Sequence, residues 1–380
     1  MRAAEQLRLK IKVLYSTLDI LKRNATLVSV IARITGHLRV TSSLTALVVL
    51  SVVIVAGCTP DHPMSTFDAQ GPVAQRQLDL FMLIFWIALV VFVLVGGWLL
   101  YTVIRFRRKS GQGIPHQTHG NTKLEITWTV IPAAMLAILA VPTVIGTFYI
   151  TNTPDGNRLD IEVTAHQWWW EVEYPESGVT TSNEIHIPVD MVVNVDLIST
   201  DVLHSFWVPK LAGKLDIIPG RTTTMWLQAD AVGEYYGQCA EFCGESHAWM
   251  RFRVFVDTAE EFEAWQEAQL AQAVVPSTPE ETEGAGLFLS KGCVACHSIS
   301  GVPGAVGVRG PNLSHVGSRS TLGAGIMDMT VENIAEWLTD PNKLKPGNIM
   351  SLEAPVYTNP DLSLSTGEIA ALSSYIQSLK

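Results

Sequence analysis

The chain has 380 residues, which is enough for two or three modest domains rather than one large core. Only 16% of its residues are charged, below the roughly 25% of an average soluble domain. This shortfall is concentrated before residue 155 and indicates membrane segments. The net charge is −10, and residues 257–283 carry eight acids with no Lys or Arg. We therefore expect basic or neutral partners and no nucleic-acid binding.

The first 57 residues have the layout of an export signal. A basic stretch up to residue 39 is followed by an apolar run at 40–57. The run ends in VAGC at 55–58, which resembles the lipobox that is cleaved before a lipid-carrying cysteine. We expect a lipoprotein-type signal at 1–57, lipidation of Cys58 and an outer segment at 58–77. Because the signal is about twice the ordinary length, an uncleaved third transmembrane helix remains the alternative.

Two apolar stretches, 80–104 and 126–153, contain no charged residue, and each exceeds the ~20 residues that a helix needs to cross a bilayer. They predict a transmembrane hairpin at 78–153. The connection between them carries five basic residues against one acid, which places it in the cytoplasm. These basic residues are Arg105, Arg107, Arg108, Lys109 and Lys123. Both ends of the hairpin then face outward, on the same side as a lipidated Cys58.

The outer part of the chain divides into three regions. Residues 155–257 contain short alternating or β-branched runs separated by Pro, Gly and Asp, which predicts a β-sandwich or barrel. Residues 258–283 predict an acidic helix followed by a linker, because 276–283 (PSTPEETE) has a linker's composition. Residues 284–380 predict a small α-domain, with its clearest helices at 330–338 and 366–379.

A metal-binding pattern lies at 239–250. Cys239 and Cys243 offer two thiolates, His247 an imidazole and Met250 a thioether, with His204 upstream. Sulfur donors with imidazole select copper, zinc or iron–sulfur clusters, and a weak Met ligand is typical of copper electron-transfer sites. Two thiolates can bridge two metal ions that share one electron. A closed zinc site and a disulfide are the alternatives, but zinc needs no Met and a disulfide leaves the imidazoles unexplained.

A second redox pattern lies in the α-domain. The segment CVACH at 293–297 is the attachment signature of c-type haem: the thiols of Cys293 and Cys296 add to its vinyl groups, and His297 becomes an axial ligand. Met350, in KPGNIM at 345–350, is the expected second axial ligand. His/Met ligation raises the potential of the haem. Two other methionines are rivals for this position: Met327 and Met329.

From the hairpin to residue 256 the chain resembles subunit II of the cytochrome c oxidases, and with its fused cytochrome it resembles the caa type. The motifs are HQWWWE at 166–171, DVLHS at 201–205, KLDIIPGR at 214–221 and the cysteine segment at 239–250. The resemblance implies a cupredoxin-like fold around a dinuclear copper centre, CuA. Its implied ligands are the carbonyl of Glu241 and the side chains of His204, Cys239, Cys243, His247 and Met250.

The resemblance also implies roles for three further groups. The carboxylate of Glu241 would help to hold a magnesium ion at the contact with subunit I. Trp168 would be the electron inlet, although the aromatic run could instead be strand residues with alternate rings in the core. Glu125 would stand at the mouth of a proton pathway, although an acid there is often only interfacial.

We therefore predict a multidomain membrane protein with a two-helix transmembrane hairpin, a cupredoxin-like β-sandwich or barrel and a small all-α cytochrome c domain. The resemblance implies that covalent haem c accepts electrons from an external cytochrome or quinol-oxidising complex. CuA then passes them to the haem–copper subunit I, which reduces oxygen to water coupled to proton pumping. Subunit III is a further expected partner.

The expected location is a bacterial inner membrane, with both redox domains on the outer, periplasmic side. A CuA-containing nitric oxide reductase and a stand-alone membrane electron-carrier lipoprotein are the alternative assignments. Quinol oxidases are disfavoured because they lack these copper ligands.

Overall fold

The computed structural model describes residues 62–108, 111, 113–114 and 116–380, together with Val49, Ser51 and Val52. Apart from those three residues, the predicted signal segment 1–57 lies outside the described residues, and so does Cys58. Residues Asp61–Lys380 form one compact unit.

Two long helices, α1 (Pro72–Arg105) and α2 (Thr122–Thr151), form the hairpin. Within the described residues they are the two helices that are long and apolar enough to cross a membrane, which confirms the expectation of two spans. Arg76 of α1 lies 5.8 Å from the ring centroid of Tyr149 in α2. At the same end, the indole of Trp226 donates to the Tyr149 carbonyl at 3.3 Å. The first contact joins the two helices, and the second attaches the hairpin to the β-domain.

The β-domain is a sandwich of two five-stranded sheets, in the orders β3-β2-β1-β5-β8 and β4-β10-β9-β6-β7. Alternate residues of β1 are buried, as expected for a strand with one face on a core. The strands are β1 (Arg158–His166), β2 (Trp169–Tyr174), β3 (Val179–Ser182), β4 (Glu184–Pro188), β5 (Val192–Ser199), β6 (His204–Trp207), β7 (Leu215–Ile217), β8 (Thr223–Leu227), β9 (Gly233–Cys239) and β10 (Arg251–Asp257).

Aromatic rings fill the space between the two sheets. Trp170 is fully buried, and its ring centroid lies 5.8 Å from that of Phe206 and 5.2 Å from that of Phe252. Such edge-to-face pairs contribute about 0.5–1.5 kcal/mol beyond their area burial. The Trp170 ring centroid also lies 6.2 Å from that of His204, so this core adjoins the predicted copper ligands.

The acidic segment after the sandwich differs from the predicted linker. Helix α3 (Ala259–Leu270) starts with a capping box between Thr258 and Glu261, and its Phe262 packs into the core of the sandwich. The next helix, α4 (Pro279–Ser290), begins five residues before the expected domain start at residue 284. The sequence PSTPEETE is a helix start rather than a linker, because Thr278 caps the helix, Pro279 occupies its first position and Glu281 completes a capping box.

The C-terminal domain is helical, as predicted. Helix α4 packs against the last helix at Gly284, where an added Cβ would lie 2.2 Å from the Ala371 carbonyl oxygen. After α4 the chain forms a two-stranded ribbon, β11 (Thr321–Leu322) with β12 (Met327–Asp328). The remaining helices are α5 (Val331–Thr339), α6 (Pro341–Leu344), α7 (Ile349–Glu353), α8 (Pro355–Thr358) and α9 (Thr366–Ser378).

Candidate functional site

The predicted copper ligands lie together at one end of the sandwich. Cys239 ends β9, and its Sγ lies 3.8 Å from the Sγ of Cys243. The Nδ1 of His204, the first residue of β6, lies 3.9 Å from the Cys239 Sγ. The Nδ1 of His247 lies 3.6 Å from the Cys243 Sγ. Both cysteines are free, and their separation is far longer than the ~2.05 Å of a disulfide bond, so the disulfide alternative is wrong.

Two more donors complete the group. The Met250 Sδ lies 3.9 Å from the Cys243 Sγ, and the Glu241 carbonyl oxygen lies 3.2 Å from the Cys239 Sγ. A closed zinc site uses four donors in a tetrahedron, whereas here two central sulfurs are flanked by an imidazole on each side, a thioether and a carbonyl. This donor set fits a pair of copper ions, which the two thiols, as thiolates, would help to hold.

The hydrogen bond between the two thiols moves their pKa values in opposite directions. The hydrogen bond between them lowers the pKa of the Cys239 thiol and raises the pKa of the Cys243 thiol, because one thiolate accepts from the other thiol. Burial alone lowers the pKa of His204, but hydrogen bonds to Asp201 and Cys239 raise it overall. Asp201 Oδ1 lies 2.8 Å from His204 Nε2, so the other ring nitrogen faces the sulfur. Such a partner fixes the orientation of a metal-binding imidazole.

The aromatic run is divided between a turn and a strand. Trp168 lies in the turn between β1 and β2, so the expected strand alternation applies only to Trp169 and Trp170. The indole Nε1 of Trp168 donates to the Cys243 carbonyl at 3.0 Å, and the Gln167 side chain donates to the same oxygen at 2.7 Å. Trp168 is thus in direct contact with the segment 240–250, which follows β9 and is called the copper loop below. It is only 8% exposed.

A cavity with an empty volume of about 1410 Å³, part of it open to solvent, lies between the α-domain and the β-domain. Cys293, Cys296 and His297 line it. From the β-domain, Trp168 and Trp169 line it as well. The cavity therefore brings the haem attachment residues and the aromatic run to one place.

The residues of this cavity fit a haem. His297 is held through its Nδ1, which lies 2.8 Å from the Pro311 carbonyl oxygen, so its Nε2 is left for a metal. Burial lowers the pKa of His297, which favours the neutral, ligating form. Arg319 also lines the cavity, and its buried Nε has no hydrogen-bond partner among the described residues. A guanidinium in this position suits the carboxylates that a haem carries.

Both Met350 and the rival Met329 line this cavity. Met327 is not among the residues that line it and instead pairs with Leu322 in the β11–β12 ribbon. Met350 lies in α7, where the Asn348 side chain accepts its backbone N–H at 2.8 Å. The structure therefore reduces three candidate sulfur ligands to two.

The two predicted acids, Glu125 and Glu241, lie at very different distances from the candidate copper site. Glu125 is in the first turn of α2, about 39 Å of helix from the end of α2 that joins the β-domain, at 1.5 Å per residue. Glu241 is at the copper loop, and its carboxylate lies 3.4 Å from the Lys214 Nζ. Lys214 also lies 3.6 Å from Asp216.

Sequence reasoning missed two buried charges between the domains. Lys345 is 3% exposed and Glu184 is 4% exposed, and each bonds to the opposite domain. Lys345 was identified only as part of the loop before Met350, and Glu184 was not singled out within the predicted β-domain. No spacing or motif marks either residue, because their partners are backbone groups more than 100 positions away in the chain.

Three family profiles match the chain: the transmembrane domain of cytochrome c oxidase subunit II at 62–145, the periplasmic domain of that subunit at 177–256, and cytochrome c at 281–380. The chain is 40% identical over 332 residues to cytochrome c oxidase subunit 2 of Alkalihalophilus pseudofirmus, covering 86% of this chain and 94% of that one. It is 39% identical over 349 residues to cytochrome c oxidase subunit 2 of Bacillus sp. strain PS3, covering 87% and 95%.

The chain is also 33% identical over 249 residues to quinol oxidase subunit 2 of Bacillus cereus, covering 63% of this chain and 82% of that one. The matches to the two cytochrome c oxidase subunits are longer and more similar. Together with the cytochrome c profile at the C-terminus, they show that the chain belongs to the cytochrome c oxidase subunit II family, in the form with a fused cytochrome c domain.

Proposed function

We propose that the side chains of His204, Cys239, Cys243, His247 and Met250, with the Glu241 carbonyl, hold the dinuclear copper. The main support for this proposal is that the six donors lie close together, with neighbouring donor atoms 3.2–3.9 Å apart. When bound, the copper pair would gain and lose one electron. Asp201 holds the imidazole of His204, and the rigid aromatic core holds the strands. Little movement of the protein is therefore needed when the site changes charge.

The haem proposal rests on the cavity. Cys293 and Cys296 would bind the haem covalently, and His297 would donate its Nε2. We assign Met350 as the second axial ligand, supported by the hydrogen bond from its backbone N–H to Asn348, which fixes the start of α7 beside the cavity. The unpaired Nε of Arg319 would face a haem carboxylate.

As a member of this family the chain is part of a membrane oxidoreductase complex and passes electrons to the haem–copper subunit I, with its copper and cytochrome domains outside. We propose that Trp168 connects the haem cavity to the copper site. Its support is that Trp168 lines the cavity and also donates to the Cys243 carbonyl. In this role Trp168 is an internal connection from the fused haem.

Three residues, Glu241, Glu125 and Cys58, are proposed to act outside the haem-to-copper relay. The Glu241 carboxylate would contribute to a magnesium site at subunit I, because Mg²⁺ prefers oxygen ligands. Glu125 would receive protons at the cytoplasmic end of α2. Cys58 would carry the lipid anchor.

We also propose that subunit III joins the complex and that the external electron donor is a cytochrome or a quinol-oxidising complex. The domain limits are proposed as 78–153 for the hairpin and 155–257 for the copper domain. The cytochrome domain would begin at residue 279, where its first helix starts.

A reciprocal pair of variants of the purified complex tests the relay. Cys243→Ser should lose copper and nearly all oxygen uptake while its haem c remains reducible. The double variant Cys293→Ser with Cys296→Ser should lose covalent haem while retaining the copper absorbance. Oxygen uptake that survives Cys243→Ser would contradict the proposal, and so would nitric oxide consumption in place of oxygen uptake by the wild-type complex.

A further inference from the structure

The α-domain lies in direct contact with the copper domain. Helix α3 packs on the sandwich, so the connection between the domains is only the stretch from 271 to 278. That stretch is itself bonded to the α-domain, since the Ala273 N–H donates to the Ser300 carbonyl at 3.2 Å. A short, bonded connection leaves little freedom for the α-domain to move away.

Lys345 lies at the centre of the contact. Its ammonium donates to the Trp168 carbonyl of the copper domain at 2.6 Å and to the Gly323 carbonyl of its own domain at 2.8 Å. No carboxylate of the described residues forms an ion pair with it. Burial lowers the pKa of Lys345 to about 7. Because a neutral amine still has two N–H donors, it can satisfy both carbonyls in either protonation state.

The loop that follows Lys345 lies against the copper loop. The Pro346 carbonyl accepts from the buried hydroxyl of Ser246 at 2.5 Å. Gly347 has φ 72°, and an added Cβ there would lie 3.0 Å from the Trp168 ring. The loop that leads to Met350 is therefore packed on Trp168. Trp168 is held at both ends, through its carbonyl by Lys345 and through its indole by the Cys243 carbonyl.

A second set of bonds joins the domains through Glu184. Its Oε1 accepts from the backbone N–H groups of Ser320 and Thr321, both at 2.9 Å, and from their hydroxyls. The Arg251 N–H also donates to the Ala324 carbonyl at 3.1 Å. A carboxylate that accepts several N–H and O–H bonds is well compensated for its burial.

We propose that Lys345 is a positioning residue that fixes the cytochrome domain on the copper domain with Trp168 enclosed between them. The inference rests on the proposed relay and adds a consequence. With Trp168 covered, a diffusing donor cannot reach the copper site directly, and its electrons must first enter the haem.

The test compares Lys345→Met with Lys343→Met in the purified holo complex. Lys343 is exposed in α6 and lies two positions away, so its variant makes the same Lys-to-Met change without touching the contact. Hydrogen exchange of the Arg251 and Thr321 amides measures how often the domains separate. Flash reduction of the haem, followed at the copper absorbance, measures transfer across Trp168.

Lys345→Met leaves two buried carbonyls without donors, which predicts roughly ten- to hundredfold faster exchange of the two amides. It also predicts slower haem-to-copper transfer, and a copper site that soluble reduced cytochrome c can reduce directly. Lys343→Met should match wild type in all three readouts. Glu184→Leu touches neither cofactor and should speed exchange of the Arg251 amide, which does not bond to Glu184, so that amide decides the question if Lys345→Met fails to assemble.

The outcomes separate the two proposals. If haem-to-copper transfer is absent in wild type, the relay itself is wrong. If wild type transfers electrons but Lys345→Met matches Lys343→Met in exchange and transfer, Lys345 does not hold the domains together. Unchanged exchange in an assembled Glu184→Leu variant would likewise contradict a fixed interdomain contact.

Discussion

The two redox sites of this chain are built in different ways. Four of the five side chains proposed to bind copper come from the segment 239–250, and the fifth, His204, is on β6, which pairs directly with β9. The haem cavity instead draws its walls from residues between 291 and 376 and from the copper domain. A site built from one segment is specified by local spacing, whereas a site built from many segments depends on how whole helices and domains pack.

Of the substitutions that separate the two sites, Met350→Leu should have the largest effect. Met350→Leu should remove the sulfur ligand and lower the haem potential, because His/Met ligation is what raises it. Reduction of the haem by the external donor then becomes unfavourable, and oxygen uptake driven by that donor should fall sharply while the copper absorbance is unchanged. Redox titration and the visible spectrum of the haem measure the effect.

Met329→Leu is the matched control, because Met329 also lines the cavity. It should leave the haem potential close to that of wild type. If Met329→Leu lowers the potential and Met350→Leu does not, the assignment of the axial ligand must be reversed.

Trp168 joins the two sites, and its removal should have the next largest effect. Trp168→Leu removes the ring that lines the cavity and the N–H that reaches the Cys243 carbonyl. Haem-to-copper transfer after flash reduction should slow markedly. Trp169→Leu also removes a ring from the cavity wall, but Trp169 lacks that bond, so its effect should be smaller. Equal effects of the two variants would contradict the proposal that Trp168 in particular connects the haem cavity to the copper site.

The packing of α4 on α9 supports only the haem site. Gly284→Ala places a Cβ 2.2 Å from the Ala371 carbonyl oxygen, and such overpacking costs about 1–3 kcal/mol. Thermal unfolding followed at the haem absorbance should therefore shift to lower temperature while the copper absorbance is retained. Gly286→Ala in the same helix meets nothing within 4 Å and should stabilise by about 0.5–1 kcal/mol. A lower unfolding temperature for Gly286→Ala would mean that the helix is destabilised by any added methyl group, and overpacking at Gly284 would then not explain the effect.

The smallest effect concerns Glu368. The hydrogen bond from Lys291, with further bonds from Ser365, lowers the pKa of Glu368 from 4.5 to about 2. Its ionised form therefore stabilises the cytochrome domain above pH 4.5, and this contribution is lost as the pH falls towards 2. Glu368→Gln should unfold at a slightly lower temperature at neutral pH, by a small amount because the ion pair is only partly buried and solvent screens it. The difference from wild type should shrink on acidification, and a difference that persists at low pH would contradict the ionic origin.

Much of this architecture could be predicted because it follows from short-range pattern. Apolar length predicted α1 and α2, alternation predicted the strands, and sulfur and imidazole spacing predicted the copper donors. The stretch 276–283 was misread as a linker because its composition was considered before its capping residues, Thr278 and Glu281.

Contacts between distant segments could not be predicted in the same way. Trp168 was expected either as the electron inlet or as one of several strand aromatics, and the structure places it in the turn between β1 and β2. The roles of Lys345 and Glu184 depend on backbone groups of the opposite domain. The choice between Met350 and Met329 depends on the packing of separate elements around one cavity.

The central claim is that electrons pass from the haem to the copper site within this chain. The direct measurement is anaerobic flash reduction of the haem in the wild-type complex, following the haem and copper absorbances together. We expect haem oxidation and copper reduction to have the same rate, and the haem to stay reduced in Cys243→Ser. Copper reduction at an unchanged rate in the complex that lacks Cys293 and Cys296, and hence the covalent haem, would contradict the account.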